Sequence, residues 1–451
     1  MPTTPVVTVI GGGMAGCEAA WQLAKRGVRV RLYEMRPINQ TPAHKTGALA
    51  EMVCSNSLRS DGLDNAVGLL HEEMRRLDSL FLSSADHNRV PAGKALAVDR
   101  ERFSREITQR LLAVDDVKVV RQELTEIPQG PCIIATGPLT SETLSQEIRK
   151  LTGSEYLYFY DAISPIVLAD TIDTGKTFAA SRYDKGGADY INCPFTRKEF
   201  DRFYTELMAA ETQELPDFER KLFFEGCLPI EEIGRRGPET LLYGPMKPVG
   251  LTDPRSGKRP HAVAQLRQDD IAAEHYSLVG FQTRLKWGPQ EKVLRLIPGL
   301  EKAEFVRFGT VHRNTYVNAP RLLSETLQTR TRGDLYFAGQ IAGTEGYVES
   351  AAGGLLAGIY CGMALLDGSI NPVPRTTALG SLAFYISHAR ALDYQPTNIT
   401  FGIIPPLEKP VRRKQERREA LSGRALRDLD SWIETNSENL VLQTGGRRAI
   451  G

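Results

Sequence analysis

The chain has only six cysteines in 451 residues, and no two of them form a CxxC pair. That spacing excludes a zinc ribbon and offers no disulfide framework. An excess of charge is also missing, with 56 Lys and Arg against 55 Asp and Glu and a net charge of +1. So balanced a chain has no global attraction to nucleic acid or an anionic membrane, although a neutral total is compatible with a locally basic face. Apolar runs fall short of the roughly 18–20 residues that a membrane span needs. The opening MPTTPVVTVIGGG lacks the basic stretch, apolar run and cleavage site of an export signal. Together these absences point to a cytoplasmic protein with no membrane partner and no metal. What is present is ordinary for a globular protein: 41% hydrophobic and 25% charged residues, in a chain long enough for two or three domains.

The densest signal is N-terminal. Val6 to Ile10 reads as a buried parallel strand, Gly11 to Gly16 as a turn, Cys17 to Arg26 as a helix closed by Gly27, and Val28 to Tyr33 as a second strand ending at Glu34. Gly11 permits the tight turn, Gly13 lets the backbone approach a pyrophosphate, and Gly16 lets the helix pack on the strand. Gly12, Met14 and Ala15 complete the cradle, and the helix N-terminus offers N–H groups and partial positive charge to phosphates. Glu34 is placed to accept hydrogen bonds from ribose hydroxyls. The spacing alone does not choose between FAD and NAD. Two later segments favour FAD: the strand Cys132-Ile-Ile-Ala-Thr-Gly137 and the strand Leu335-Tyr-Phe-Ala-Gly-Gln340. The second leads through a Gly-rich stretch, Gly343 to Gly354, into an apolar helix, which places Gly339, Gln340 and Tyr347 toward the flavin end.

One cofactor site drawing on residues near 11 and near 340 implies a discontinuous domain. The expected fold is α/β: a Rossmann-like FAD-binding domain formed by residues 1–180 and 305–451, with a smaller α+β domain inserted at 181–304. The C-terminal part carries a basic tail with Lys409, Arg412, Arg413, Lys414, Arg417, Arg418, Arg424 and Arg427, interleaved with Glu416 and Glu419. This reads either as a solvated, ion-paired helix or as a phosphate-contacting patch.

Several further motifs carry a family resemblance. They are Val53-Cys-Ser-Asn-Ser-Leu-Arg59, Ile191-Asn-Cys-Pro-Phe195, Phe224-Glu-Gly-Cys-Leu-Pro-Ile-Glu231, Gly244-Pro-Met-Lys-Pro-Val-Gly-Leu251, Val279-Gly-Phe-Gln-Thr-Arg-Leu-Lys-Trp287, His312-Arg-Asn-Thr-Tyr316 and Asn398-Ile-Thr-Phe-Gly402. With the opening glycine motif, they make the chain resemble the folate- and FAD-dependent tRNA (uracil-5-)-methyltransferases over nearly its whole length. The resemblance implies transfer of a one-carbon unit from 5,10-methylenetetrahydrofolate to C5 of a T-loop uridine, with electrons from FAD re-reduced by NADPH or NADH. The partner would be the T-arm of tRNA, and the RNA partner rests on the resemblance alone.

That chemistry needs a thiolate to attack C6 of uracil and a base to take the C5 proton. The resemblance assigns Cys227 as the nucleophile and Cys54 as the second thiol, aiding proton removal. Cys17 on a packed helix and Cys132 on a buried strand read as small hydrophobes, and Cys193 as structural. The pterin needs a planar surface, for which His312 and Tyr347 are candidates. Arg235, Arg236, Lys247 and Lys286 in the insertion are candidates for the anionic folate tail and tRNA backbone, with a solvated loop as the alternative for each. Three rival readings stay open at this point: the longer FAD-dependent protein that modifies wobble uridine, a generic flavin oxidoreductase, and a non-catalytic FAD-stabilised RNA-binding or scaffold protein.

Overall fold

The computed structural model describes residues 6–41, 43–153, 157–162, 164–184, 187–213, 228–309, 311–392 and 394–440. Its first sheet has five parallel strands in the spatial order Leu335–Phe337, Cys132–Ile134, Val7–Ile10, Val30–Glu34, Val117–Arg121. The central strands are nearly unbroken apolar runs, as expected of strands covered on both faces. The N-terminal helix is Met14–Lys25 and so begins three residues earlier than Cys17. The turn needs a positive φ only at Gly11 (+104°). Gly13 is the extended N-cap, so Met14, Ala15 and Gly16 already form the first helical turn.

That helix packs on Tyr347–Leu366, which comes from the far end of the chain. The contact is backbone to backbone. A Cβ on Gly354 would lie 2.0 Å from the Ala15 carbonyl oxygen, and one on Gly358 would lie 2.7 Å from that of Ala19. The Tyr347–Leu366 helix also corrects the expectation that no stretch reaches spanning length. It is the one helix among the described residues long and apolar enough to cross a membrane by length and composition, yet 89% of that window is buried inside the protein.

A second sheet has six antiparallel strands in the order Phe178–Ala179, Tyr190–Phe195, Ala262–Gln268, His275–Leu278, Ile166–Leu168, Phe305–Arg307. It therefore takes in strands on both sides of 181–304. Its core unites Phe195, Phe200, Phe203, Phe281 and Leu285, with the Arg197–Ala209 helix laid over it. That helix starts with a full capping box between Thr196 and Glu199. The antiparallel pair Leu157–Ala162 and Val311–Tyr316 joins residues flanking this sheet.

The basic tail forms the helix Lys414–Thr435, whose Leu421, Ala425, Leu429 and Trp432 face inward. Arg418 and Arg424 fasten it by donating to the carbonyls of Asp64 (3.2 Å) and Pro406 (2.8 Å). Arg412, Lys414, Arg417 and Arg427 are exposed.

The backbone contact makes a prediction. Gly354→Ala pushes a methyl into a carbonyl that cannot move without shifting the sheet, a cost of about 3 kcal/mol or more, beyond ordinary overpacking. A thermal melt followed by circular dichroism should fall well below wild type; an unchanged melting curve would contradict the packing described.

Candidate functional site

The glycine turn is wedged against the neighbouring strand. A Cβ on Gly11 would lie 2.5 Å from the Ala135 carbonyl oxygen, and one on Gly16 would lie 1.8 Å from the Gly11 oxygen. These glycines are required by packing. Gly13 is different: a Cβ there would meet nothing within 4 Å. Its backbone faces a cavity of about 150 Å³ that Gly12, Met14, Glu34, Thr136, Gln340 and Tyr347 help to line. Open space over an uncapped helix N-terminus fits a dinucleotide pyrophosphate.

Glu34 is buried at the edge of this cavity and is already heavily engaged. Its carboxylate accepts from Gly12 N (2.9 Å), Arg36 N (2.9 Å), Arg36 Nε (2.9 Å) and Arg36 Nη2 (3.1 Å). Burial alone would raise its pKa, but the Arg36 hydrogen bonds and charge outweigh burial and hold it below the ordinary value. Arg36 is itself buried and reaches Glu51 through Nη1 (2.9 Å). Glu34 thus fixes the turn as well as facing the cavity. Gly339, with φ +77°, abuts Ala15; Gln340 donates to Glu345 Oε2 (2.9 Å).

A second cavity of about 480 Å³ adjoins the first, sharing Val53, Pro138, Leu139, Gln340 and Tyr347 with it. Cys54 lies on its wall. The Tyr347 hydroxyl accepts the Cys54 N–H (2.8 Å) and lies 3.0 Å from Cys54 Sγ. The backbone N–H and the thiol of Cys54 thus both converge on the one phenol oxygen. Burial, then the neighbouring Cys54 sulfur, holds the Tyr347 phenol well above its ordinary pKa, so it stays a donor.

Three arginines clamp the loop around Cys54. Arg100 donates to the Met52 carbonyl (3.3 Å) and pairs with Asp269 (2.7 Å). Arg267 donates to Ser55 Oγ (2.8 Å) and Asn56 Oδ1 (2.9 Å). Arg307 donates to the Val53 carbonyl. Burial holds Arg267 and Arg307 below the ordinary guanidinium value, whereas for Arg100 the charge and hydrogen bond of Asp269 outweigh burial and hold it above. Arg59, the cation nearest in sequence, instead pairs with the buried Glu349. The other three have no signature in the sequence near Cys54, because only tertiary packing brings them to its loop.

Cys17, Cys132, Cys193 and Cys361 are buried and unlike Cys54. Burial pushes the thiols of Cys132 and Cys361 up to about 12, and those of Cys17 and Cys193 higher. Cys227 lies outside the described residues. The chain on either side of its segment is held: Gln213 N donates to the Arg284 carbonyl (2.8 Å), and Ile230 N to that of Gln282 (2.7 Å). Glu231 is buried and accepts from Arg284 N (2.9 Å) and Thr283 Oγ1 (2.8 Å). Gln282 in turn lines the Cys54 cavity. His312 sits on the Val311–Tyr316 strand opposite Asp161, and its side chain is outside the described set. Arg235 is exposed 3.6 Å from Glu232, Lys247 is half-buried, and Lys286 is exposed 3.1 Å from Glu211. None of these three lines either cavity.

The family described as glucose inhibited division protein A, GIDA, matches residues 6–368. The chain is 58% identical over 428 residues to the methylenetetrahydrofolate–tRNA-(uracil-5-)-methyltransferase TrmFO of Anoxybacillus flavithermus, covering 95% of this chain and 99% of that protein. It is 57% identical over 431 residues to the TrmFO of Bacillus cytotoxicus, covering 96% and 99%. Among solved structures, Aquifex aeolicus GidA in its form II crystal superposes with a TM-score of 0.70 at 16% identity, covering 97% of this chain and 74% of that one. That last likeness is one of fold.

The arginine clamp predicts selective thiol reactivity. Iodoacetamide at neutral pH should label Cys54 in preference to the four buried cysteines. Arg307→Gln should slow that labelling about five- to tenfold, as expected for losing ~1–1.4 kcal/mol of charge stabilisation, and Arg307→Lys should recover part of it. A peptide mass-spectrometric time course reads this out; equal Cys54 rates in wild type and Arg307→Gln would refute the clamp's role.

Proposed function

This chain belongs to the TrmFO family of methylenetetrahydrofolate–tRNA-(uracil-5-)-methyltransferases, and to the GidA family, and from that membership we propose how its residues divide the work. The protein is an FAD- and folate-dependent methyltransferase acting on tRNA in the cytoplasm, with the T-arm uridine as its target. Bound FAD supplies the reducing equivalents that convert the transferred methylene to a methyl group, and NADPH or NADH renews them. Gly11 to Gly16, Glu34, Gly339 and Gln340 hold that cofactor, with its phosphates over Gly13. Tyr347 stands where the cofactor cavity meets the Cys54 cavity and there closes the cofactor's reactive end from water.

The larger cavity receives the folate and the target base in turn. The uridine must leave its stack to enter. Cys227 adds to C6 of the ring, making C5 nucleophilic. C5 takes the methylene as the bond to its carrier nitrogen breaks, the Cys54 sulfur removes the C5 proton, and a hydride equivalent, which the reduced cofactor would supply, completes the methyl as Cys227 leaves C6 and the C5–C6 double bond re-forms. Tyr347, whose hydroxyl is bonded by the same sulfur, keeps it aimed. His312 offers a planar group for the pterin, and Arg235, Lys247 and Lys286 offer charge to the folate tail or the RNA backbone.

The observation that carries this reading is the Cys54 sulfur on the wall of a cavity continuous with the dinucleotide cradle. The anchoring of Ile230 and Glu231 to the wall of the same cavity supports bringing Cys227 to it. The test is methylation of unmodified tRNA with each donor omitted in turn. Labelled carbon should reach tRNA from methylenetetrahydrofolate only with reduced nicotinamide present. Cys227→Ala and Cys54→Ala should each lower transfer by at least about a hundredfold, the usual scale for losing a nucleophile or acid–base group, while FAD stays bound. Label from S-adenosylmethionine, or full activity without either thiol, would overturn the assignment.

A further inference from the structure

We propose that Trp287, backed by Phe308 and Phe305, is a stacking platform for an unpaired nucleobase of the RNA substrate, a proposal that rests on the functional reading above. Trp287 is 66% exposed although it is among the largest apolar side chains. One face of its ring lies on Phe308, with centroids 6.3 Å apart and planes 23° from parallel. Phe308 lies on Phe305 at 5.6 Å and the same 23°. Arg295 closes the far end, 6.0 Å from the Phe305 centroid. Three rings in near-parallel file leave the next position in the file open to solvent. A flat π-system fills such a position better than a branched side chain.

The stack is held rigid. Gln290 is fully buried, accepts from Gly309 N (2.7 Å), and donates to the carbonyls of Gly309 (3.1 Å) and Leu285 (3.1 Å). One amide thus fixes the segment carrying Phe308 to the start of the Trp287–Leu294 helix. A preorganised ring loses little freedom on binding.

Position selects the occupant. Arg307, adjacent to Phe308, donates to the carbonyl next to Cys54, and Gln282 on the segment leading to Trp287 lines the Cys54 cavity. The platform therefore stands on the same two segments that build the reaction cavity. A uridine extruded into that cavity leaves the bases beside it without a stacking partner. The charges around the platform are already matched: Lys286 with Glu211 at 3.1 Å and Arg295 with Glu291 at 2.8 Å. Its contribution is therefore stacking, with little release of counterions on binding.

The test measures binding of unmodified tRNA transcript to the FAD-loaded protein at low and at raised salt, for wild type, Trp287→Ala and Trp287→Phe. Trp287→Ala should bind about 5- to 100-fold more weakly, the range for losing one base–aromatic stack, with the same ratio at both salt concentrations. Trp287→Phe should retain most of the affinity. tRNA should quench the tryptophan emission of wild type, because Trp21 is tied to the Asp78 carbonyl and Trp432 is buried, and that quenching should vanish in Trp287→Phe. NADPH oxidation without tRNA and the melting temperature should not change. Equal tRNA affinity in wild type and Trp287→Ala overturns the platform alone. So does a loss confined to low salt, or a change of oligomeric state with tRNA affinity intact, which would make the face a contact between copies of the chain. Wild type that binds no tRNA overturns the functional reading itself.

Discussion

Everything in the site depends on two helices from opposite ends of the chain touching backbone to backbone. Met14–Lys25 carries the cradle at its N-terminus, and Tyr347–Leu366 carries Tyr347 at its own. Any side chain larger than hydrogen at Gly354 would separate them. The contact sets where Tyr347 stands relative to Gly13, and so where the two cavities meet. Small residues at such a crossing lose entropy on folding, but no bulkier residue brings two backbones so close. The apolar length of the second helix follows from the same constraint, because a helix enclosed on all sides is apolar all round.

The second determinant is charge placed where water is scarce. Around Cys54 the arginines are buried or half-buried, and Asp269 balances Arg100. The remaining cationic surplus is directed at the loop that holds the sulfur. A thiol in such a setting is distinguished from a packing cysteine by its neighbours as well as by its partial exposure. The Tyr347 hydroxyl bonds the same sulfur and fixes its position without adding charge. The opposite case occurs nearby: Glu34 faces Arg36 so tightly that its carboxylate serves the architecture of the turn before any ligand arrives.

How far the sequence could be read follows from the range of each interaction. The glycine turn, the strand before it and the strand after it are local, and their periodicity and turn chemistry show them directly. The start of the helix was harder to place, since Gly13 caps it without a side chain and leaves no Ser, Thr or Asp signal. The six-stranded sheet reaches back to Ile166 and forward to Arg307, and short strands there carry no alternation strong enough to be seen. Arg100, Arg267 and Arg307 could not be associated with Cys54 by any spacing rule, since only tertiary packing joins them. Arg59 was the natural candidate by proximity, but its backbone, at φ +70°, belongs to a tight conformation and its guanidinium serves Glu349. Trp287 was visible as part of a motif, but its exposure and its alignment with Phe308 exist only in three dimensions.

The arrangement also accounts for why two motifs far apart in sequence both matter. The stretch around Ile230 and the stretch from Gln282 to Arg284 are knit together by the backbone hydrogen bond from Ile230 N to the Gln282 carbonyl and by the buried Glu231 carboxylate. Closing a long excursion of chain at its base costs little more than closing a short one, because the entropy grows only with the logarithm of length. Gln282 itself lines the Cys54 cavity, so the bond that anchors Ile230 also anchors one side of that cavity. That side meets the arginines and Tyr347 around Cys54, so the stretches near residues 54, 230, 282 and 347 hold one another and none shifts without reshaping the cavity.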